Sequence, residues 1–395
     1  MSSDGGNRPR LHLTRAGGRT RVHPWIYRGE IAGLEGEPEP GAAVTVIDGS
    51  GAFVGVGFYN PRTSLACRIL TRREEAVDAA FFAARIAGAL AYRRAAGLAS
   101  DAYRLVWSEG DGLPGLVVDR YGAVSVVQCS ALGMSRVIDW IAGGLRAAVG
   151  DGPVYLADDP AGARLEGFEP RRGWLDREGP ETVTVREGDA RFRVRLGAGH
   201  KTGFYLDQAE NRARVGRRAA GRRVLDAFSY SGGFAVHALA AGAEHAICLD
   251  SSPEALAGAR ENLALNSLAE RAELREVNAF DELRRLEREH ARFGLVILDP
   301  PPFTRRRDAL EAARRGYKEI NLRAMRLLGP GGLLATFSCS HHVSPALFED
   351  VCRAAAEDAG VTLRTLGALT QSRDHPVLLT VPETRYLKGL LLERL

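Results

Sequence analysis

The spacing of apolar positions changes character three times along the chain. Up to about residue 73 the apolar runs are short and strand-like, at Ala43–Ile47, Phe53–Tyr59 and Leu65–Leu70. The turn-forming segments EPEPG (37–41) and DGSG (48–51) punctuate them, which predicts a small β module over 1–75. A helical run follows over Ala76–Leu98, with apolar residues at Val77, Phe81, Ile86 and Leu90. Over 76–196 strand-like runs at Leu105–Ser108, Leu116–Asp119 and Val124–Cys129 precede an amphipathic helix at Ser135–Val149 and a strand at Val154–Ala157. The hairpin pattern TVTVREGDARFRVRL, turning at Glu187–Asp189, closes this mixed α+β section. From 197 to 395 strands and helices alternate. Strands are predicted at Val224–Phe228, Ala246–Asp250, Glu273–Val277, Leu295–Asp299 and Leu333–Cys339, then near Val361–Leu366 and Leu387–Leu392. The helices fall at Phe234–Ala241, Pro253–Asn266, Phe280–Glu289, Ala309–Leu328 and Pro345–Ala359. Such alternation predicts a parallel sheet covered on both faces, with ligands at the carboxyl ends of its strands.

Composition narrows the class without naming it. A chain of 395 residues, 45% hydrophobic and 26% charged, is long enough for two or three globular domains and excludes a disordered tail or a fibre. No run of about 18 apolar residues is present, and the N-terminus lacks an apolar leader core, so the expected compartment is the cytoplasm. Five widely spaced cysteines argue against a disulfide framework and a cysteine-rich zinc site, and no metal is expected. The net charge of +4 does not by itself imply nucleic acid. Its distribution says more: six arginines stand against Asp4 over Met1–Arg28, and seven arginines with Lys318 crowd Thr304–Arg326. These stretches suit a phosphate backbone or, equally, a solvated face.

Candidate chemistry sits in the last section. After the strand VLDAF, the segment SYSGGF opens a helix, and Gly232 and Gly233 allow backbone to approach a ligand. Asp250 ends the next strand, 24 positions after Asp226, where a carboxylate can accept both hydroxyls of a ribose. A tight strand-to-helix turn with a capping Asp is the alternative. Neither GxGxxG nor a phosphate-loop lysine is present, so the pattern prefers an adenosine cofactor without phosphates, and S-adenosylmethionine fits. The fourth strand runs into Asp299-Pro-Pro-Pro-Phe303, a rigid loop that can hold a planar base, with Asp299 on its polar edge and Phe303 as a stacking surface. A proline-rich turn with an ordinary strand-end Asp is the plainer reading. Cys67, Cys129, Cys248 and Cys352 read as small core residues. Cys339 differs, because it ends a strand beside the Asp299 loop; a thiolate there could attack carbon 6 of a pyrimidine and make carbon 5 nucleophilic. His341 and His342 read first as loop histidines and second as activators.

With these residues in view, the chain resembles bacterial large-subunit ribosomal RNA methyltransferases of the RlmI type. The resemblance rests on five ordered segments: His23-Pro-Trp-Ile-Tyr-Arg-Gly29; Gly112-Leu-Pro-Gly-Leu-Val-Val-Asp-Arg-Tyr121; Gly199-His-Lys-Thr-Gly-Phe-Tyr-Leu-Asp-Gln208; Asp226–Phe234 with Asp250; and Asp299–Phe303 with Ser338–Ser340. It implies a PUA-like RNA-binding domain over 1–75, a central α+β hairpin domain over 76–196, and an α/β Rossmann-like class I methyltransferase domain over 197–395. It further implies S-adenosylmethionine as donor and 5-methylcytosine in 23S rRNA as product, with Cys339 as nucleophile and Asp299 stabilising protonated ring nitrogen 3. The implied cofactor contacts are Gln208, Asp226, Phe228, Ser229, Tyr230, Gly232, Gly233, Asp250, Ser251, Asn278, Ala279, Phe280 and Asp299. The implied RNA contacts are His23, Trp25, Arg28, Phe303, Arg305, Arg306 and Arg307. The expected partner is 23S rRNA or a large-subunit assembly intermediate, with no membrane and with a homodimer as a candidate assembly.

Two positions depart from the family's pattern. Asn278 stands where relatives often carry Asp, though its carbonyl can still accept from the adenine amino group. Pro302 occupies the place of a second cysteine found in many other RNA 5-methylcytosine enzymes, so the base that removes the carbon-5 proton is unassigned. Competing functions are methylation of a base nitrogen such as guanine N7, a non-catalytic RNA-binding assembly factor and, more remotely, a nicotinamide oxidoreductase.

Overall fold

The computed structural model describes residues 8–18, 22–197, 203–304 and 309–395. Its packing divides the chain into two compact units: Met1–Val183 with Val194–Phe204 and Arg373–Thr384, and Thr184–Arg193 with Tyr205–Ser372 and Arg385–Leu395.

In the first unit a six-stranded sheet uses the predicted strands Ala43–Ile47, Phe53–Tyr59 and Leu65–Thr71 as its middle. Alternation in Ala43–Ile47 turns Val44 and Val46 inward, against Leu11, Ile26 and Cys67. The strands Arg10–Leu13, Trp25–Tyr27 and Ile31–Glu35 fall outside the predicted runs: Trp25–Tyr27 has only three residues, and Ile31–Glu35 is mostly exposed. A five-stranded sheet carries Ala102–Trp107, Leu116–Tyr121, Val124–Cys129, Val154–Ala157 and Arg172–Trp174. Helix Ala79–Ala95, capped where the Phe81 amide donates to Asp78 at 2.9 Å, packs on helix Ile138–Val149. The single helix expected at Ser135–Val149 is two, because Val137 leaves helical geometry (φ −107°, ψ 24°). One core joins Phe58 and Leu70 of the β module to Phe82, Ile86, Leu105 and Ile141, so the first two sections pack as one body.

The second unit holds the predicted alternating sheet. Its strands are β1 (Arg223–Ala227), β2 (His245–Asp250), β3 (Ala272–Glu276), β4 (Phe293–Leu298), β5 (Leu328–Ser338), β6 (Leu363–Thr370) and β7 (Lys388–Arg394). Its helices are α1 (Ala209–Gly216), α2 (Gly233–Ala240), α3 (Pro253–Leu265), α4 (Ala279–Arg288), α5 (Leu310–Leu327) and α6 (Pro345–Ala359). The strand order is β3-β2-β1-β4-β5-β7-β6, parallel except for β7, which runs antiparallel to both β5 and β6. Strands covered on both faces need apolar residues at consecutive positions, and Leu295–Leu298 and Ala246–Leu249 are fully buried. Order reverses between β1 and β4. Their carboxyl ends therefore flank the crevice where such sheets bind ligands. Among the described residues, no helix is long and apolar enough to cross a membrane.

Candidate active site

The loop leaving β1 is strained. Phe228 (φ 64°), Tyr230 (φ 48°) and Gly232 (φ 76°) all take left-handed backbone, which costs a residue with a Cβ about 1–2 kcal/mol. Hydrogen bonds hold the turn: the Tyr230 amide donates to Asp250 at 2.8 Å, the Ser229 amide to the Leu249 carbonyl at 2.9 Å, and Asn262 Nδ2 to the Ser231 carbonyl at 3.0 Å. Asp250 also accepts from the Ser252 amide at 2.9 Å, so both its oxygens are anchored at the end of β2. Gly232 faces Ala259 so closely that a Cβ would lie 3.1 Å from its methyl. At Gly233 a Cβ would come within 2.8 Å of Arg212 Cδ.

Asp226 sits below this loop, fully buried. One oxygen accepts from the Ala235 amide at 3.1 Å; the other has no partner. Burial pushes its carboxyl up to about 8, and the charges of Asp299 and Asp250 add to that rise. Asp299 follows β4, half-buried, with its amide 3.4 Å from the Ala227 carbonyl. Pro300 is buried, while Pro301 and Pro302 are exposed. Phe303 turns inward: its ring lies 4.5 Å from Tyr317 and 5.6 Å from Phe280, and Phe228 completes the cluster. It is half-buried, a wall of the loop rather than a free-standing platform.

Cys339 follows β5 directly. Its sulfur lies 3.9 Å from the Pro300 carbonyl, to which the thiol donates, and it is half-buried. The other four cysteines are buried, and burial pushes Cys67, Cys129 and Cys352 up to about 12. Beside Cys339, the Tyr317 hydroxyl lies 2.9 Å from Ser340 Oγ. Lys388 Nζ donates to the carbonyls of Ser340 at 2.5 Å and Tyr386 at 2.9 Å. His341 and His342 are exposed, with the His341 ring 6.0 Å from Tyr386.

Comparison with known proteins agrees with this geometry. Residues 168–372 match the S-adenosylmethionine-dependent methyltransferase family, and residues 15–72 match the PUA-like domain. The ribosomal RNA large subunit methyltransferase I of Klebsiella pneumoniae is 38% identical over 390 residues, covering 96% of this chain and 97% of the relative. That of Erwinia tasmaniensis is 38% identical over 374 residues, covering 93% and 94%. A SAM-dependent methyltransferase from Streptococcus mutans shares the fold at TM-score 0.81 and 18% identity, covering 97% of this chain and 99% of its own. This chain belongs to the S-adenosylmethionine-dependent methyltransferases.

The pocket of this methyltransferase fits its donor on one observation. Asp226 Oδ1, Ser229 Oγ and Gln208 Nε2 are among the buried polar atoms without a hydrogen-bond partner among the described residues. An acceptor, a hydroxyl and a donor left unsatisfied in one fold unit cost stability unless a ligand completes them, and a zwitterionic amino acid bearing an adenosine can do so. The Gln208 side-chain oxygen is already taken by Asn211 Nδ2 at 2.6 Å. Asn278 Oδ1 caps α4 by accepting from the Phe280 amide at 2.9 Å. Ala279 is buried, Phe280 half-buried and Ser251 exposed.

Sequence reasoning missed several methyltransferase residues that the fold gathers. Lys388, one of three lysines in the chain, lies opposite Ser338 in the β5–β7 register. Arg212 donates to Glu187 at 2.6–2.7 Å, while His237 Nε2 lies 2.8 Å from the same carboxylate. The rarity of lysine was the only available signal for the first, and nothing in the sequence pairs the other three.

The RNA contacts expected near the N-terminus have hydrogen-bond partners within the first unit. His23 is buried, its Nε2 lies 3.0 Å from Glu383, and its Nδ1 accepts from the Trp25 amide at 3.2 Å, so no ring nitrogen is left for RNA. Trp25 donates its indole N–H to Glu109 at 2.8 Å, and the exposed Arg28 holds the carbonyls of Pro61 and Thr63. All three serve the first unit internally. Arg305, Arg306 and Arg307 lie outside the described residues, as do residues 199–202 of the segment ending at Gln208.

Proposed function

We propose that this methyltransferase forms 5-methylcytosine in 23S ribosomal RNA, with Cys339 as the nucleophile. The observation that carries the reading is the position of one sulfur. Cys339 alone among the five cysteines is not fully buried, and it stands 3.9 Å from Pro300 in the loop that begins at Asp299. The names of the relatives, which specify ribosomal RNA of the large subunit, support the choice of RNA.

S-adenosylmethionine, when bound, supplies a methyl carbon attached to a positively charged sulfur. Asp226, Ser229 and Gln208 would hold its amino-acid end, and Asp250 its ribose hydroxyls. Cys339 adds through its thiolate to carbon 6 of the cytosine, its electron pair forming the S–C bond while the ring's π pair moves to carbon 5. Asp299 keeps a proton on ring nitrogen 3 and so drains the negative charge from the ring. Once carbon 5 carries the methyl group, loss of its proton returns the electron pair and expels the Cys339 thiolate. The PUA-like segment and the arginines at 305–307 would grip phosphate.

The test is to map 5-methylcytosine in 23S rRNA from cells with the protein, without it, and with C339A alone. One site present in the first and missing from the other two supports the proposal. A methyl group retained by C339A on a base nitrogen would replace it with the rival chemistry.

A further inference from the structure

Lys388 is a buried charged group that the reaction above leaves unused. Its side chain leaves β7 opposite Ser338, and its nitrogen ends against the carbonyls of Ser340 and Tyr386. Those two bonds fix an ammonium whose third N–H remains to be directed elsewhere. The Cys339 sulfur is near enough for its charge to act on this nitrogen. Burial lowers the Lys388 ammonium to about 8, and the sulfur's negative charge opposes that fall. Two tyrosines also lie within reach of the sulfur's charge. Tyr317 from α5 and Tyr205 from the segment before α1 are both pushed up, chiefly by burial, so they stay neutral. Asp299 acts on the same Tyr205 as Cys339 does, and it brings a negative charge. Tyr386 gives its hydroxyl to Asp207, and His341 is exposed beside Tyr386.

We propose that Lys388 is a positioning residue whose ammonium, pinned on two backbone carbonyls, holds the Cys339 sulfur as a thiolate. The inference rests on the reading of Cys339 as nucleophile. The thiol proton passes to solvent, and the paired charges remain. When the S–C bond forms, the sulfur's negative charge moves into the ring; when that bond breaks, the sulfur leaves again as the thiolate that Lys388 stabilises. Lys388 thus aids both attack and departure without touching the cytosine.

The experiment is site-resolved alkylation of Cys339 by iodoacetamide from pH 6 to 10, followed by peptide mass spectrometry. The other four cysteines are buried and label slowly. Three variants are compared: K388Q, which keeps two donors for the carbonyls but no charge; K388M, which keeps neither; and K388R, which keeps the charge. Loss of the ammonium is expected to raise the thiol pKa by about one unit in K388Q and K388M, displacing the labelling profile by that much and slowing labelling at pH 7 by about two- to fivefold. K388R should stay near the parent. Circular dichroism and S-adenosylmethionine binding establish that each variant folds, and K388Q decides the matter if K388M does not. A K388Q profile that superimposes on the parent overturns the inference. A shifted thiol in a protein that forms no 5-methylcytosine would leave the charge pair standing and remove the carbon-5 reading instead.

Discussion

The sulfur of Cys339 and the carbonyl oxygen of Pro300 lie 3.9 Å apart, so the end of β5 meets the loop that begins at Asp299. That contact puts a half-buried thiol against the residue that follows Asp299. If Cys339 is the proposed nucleophile, replacing it by Ala removes the attacking group without disturbing the buried polar atoms of the cofactor pocket. Methyl transfer to rRNA should fall by on the order of 10³ or more, while calorimetric affinity for S-adenosylmethionine stays within about twofold. Turnover near the parent level would move the chemistry to a base nitrogen.

Asp226 is protonated at neutral pH in the ligand-free protein, because burial lifts its carboxyl to about 8. A bound cation favours the ionised form, so binding should release a proton, and affinity should climb with pH up to about 8 before levelling. Calorimetry in buffers of differing ionisation enthalpy counts that proton. The stability sign is the reverse: the folded state holds a proton that the unfolded chain gives up near 3.8. Stability of the ligand-free protein therefore falls between those two pH values. D226N should flatten that fall and bind the cofactor at least tenfold more weakly. A variant with unchanged affinity would place the amino-acid end of the donor elsewhere.

Glu187 joins the hairpin to α1 and α2 through Arg212 and His237. Burial alone would raise its carboxyl, but Arg212 and His237 hold it down to about 2. Its contribution to stability is complete above about 4.5, the unfolded value, and disappears as pH falls toward 2. Glu187→Ala leaves Arg212 buried without its partner and should cost about 3–5 kcal/mol at pH 7 in urea unfolding. A loss of less than about 1 kcal/mol would mean that Arg212 finds solvent or another acceptor.

Arg305, Arg306 and Arg307 follow the Asp299 loop directly in sequence. If they contact phosphate, changing all three to Gln should weaken RNA binding and reduce the slope of log affinity against log salt by about 2–3. Equal slopes for parent and variant, measured by filter binding across salt concentrations, would assign the grip to other cations.

The sequence by itself determined the alternating sheet and the order of its chemistry. Continuous apolar runs such as Leu295–Leu298 and Ala246–Leu249 can be buried on both faces only in a covered parallel sheet, and their carboxyl ends then fall at one edge. Asp226, Asp250, Asp299 and Cys339 were legible for that reason: each lies within one residue of a strand's carboxyl end, and periodicity locates strand ends. Tertiary structure alone decided which side chains meet there. Lys388 reaches Ser340 because β7 runs antiparallel beside β5, a pairing across 48 positions that no local pattern encodes. Tertiary structure also brought the His23 ring to Glu383, 360 positions away in the chain. Local sequence sets the direction and face of each element, but contacts between distant elements follow from how those faces pack.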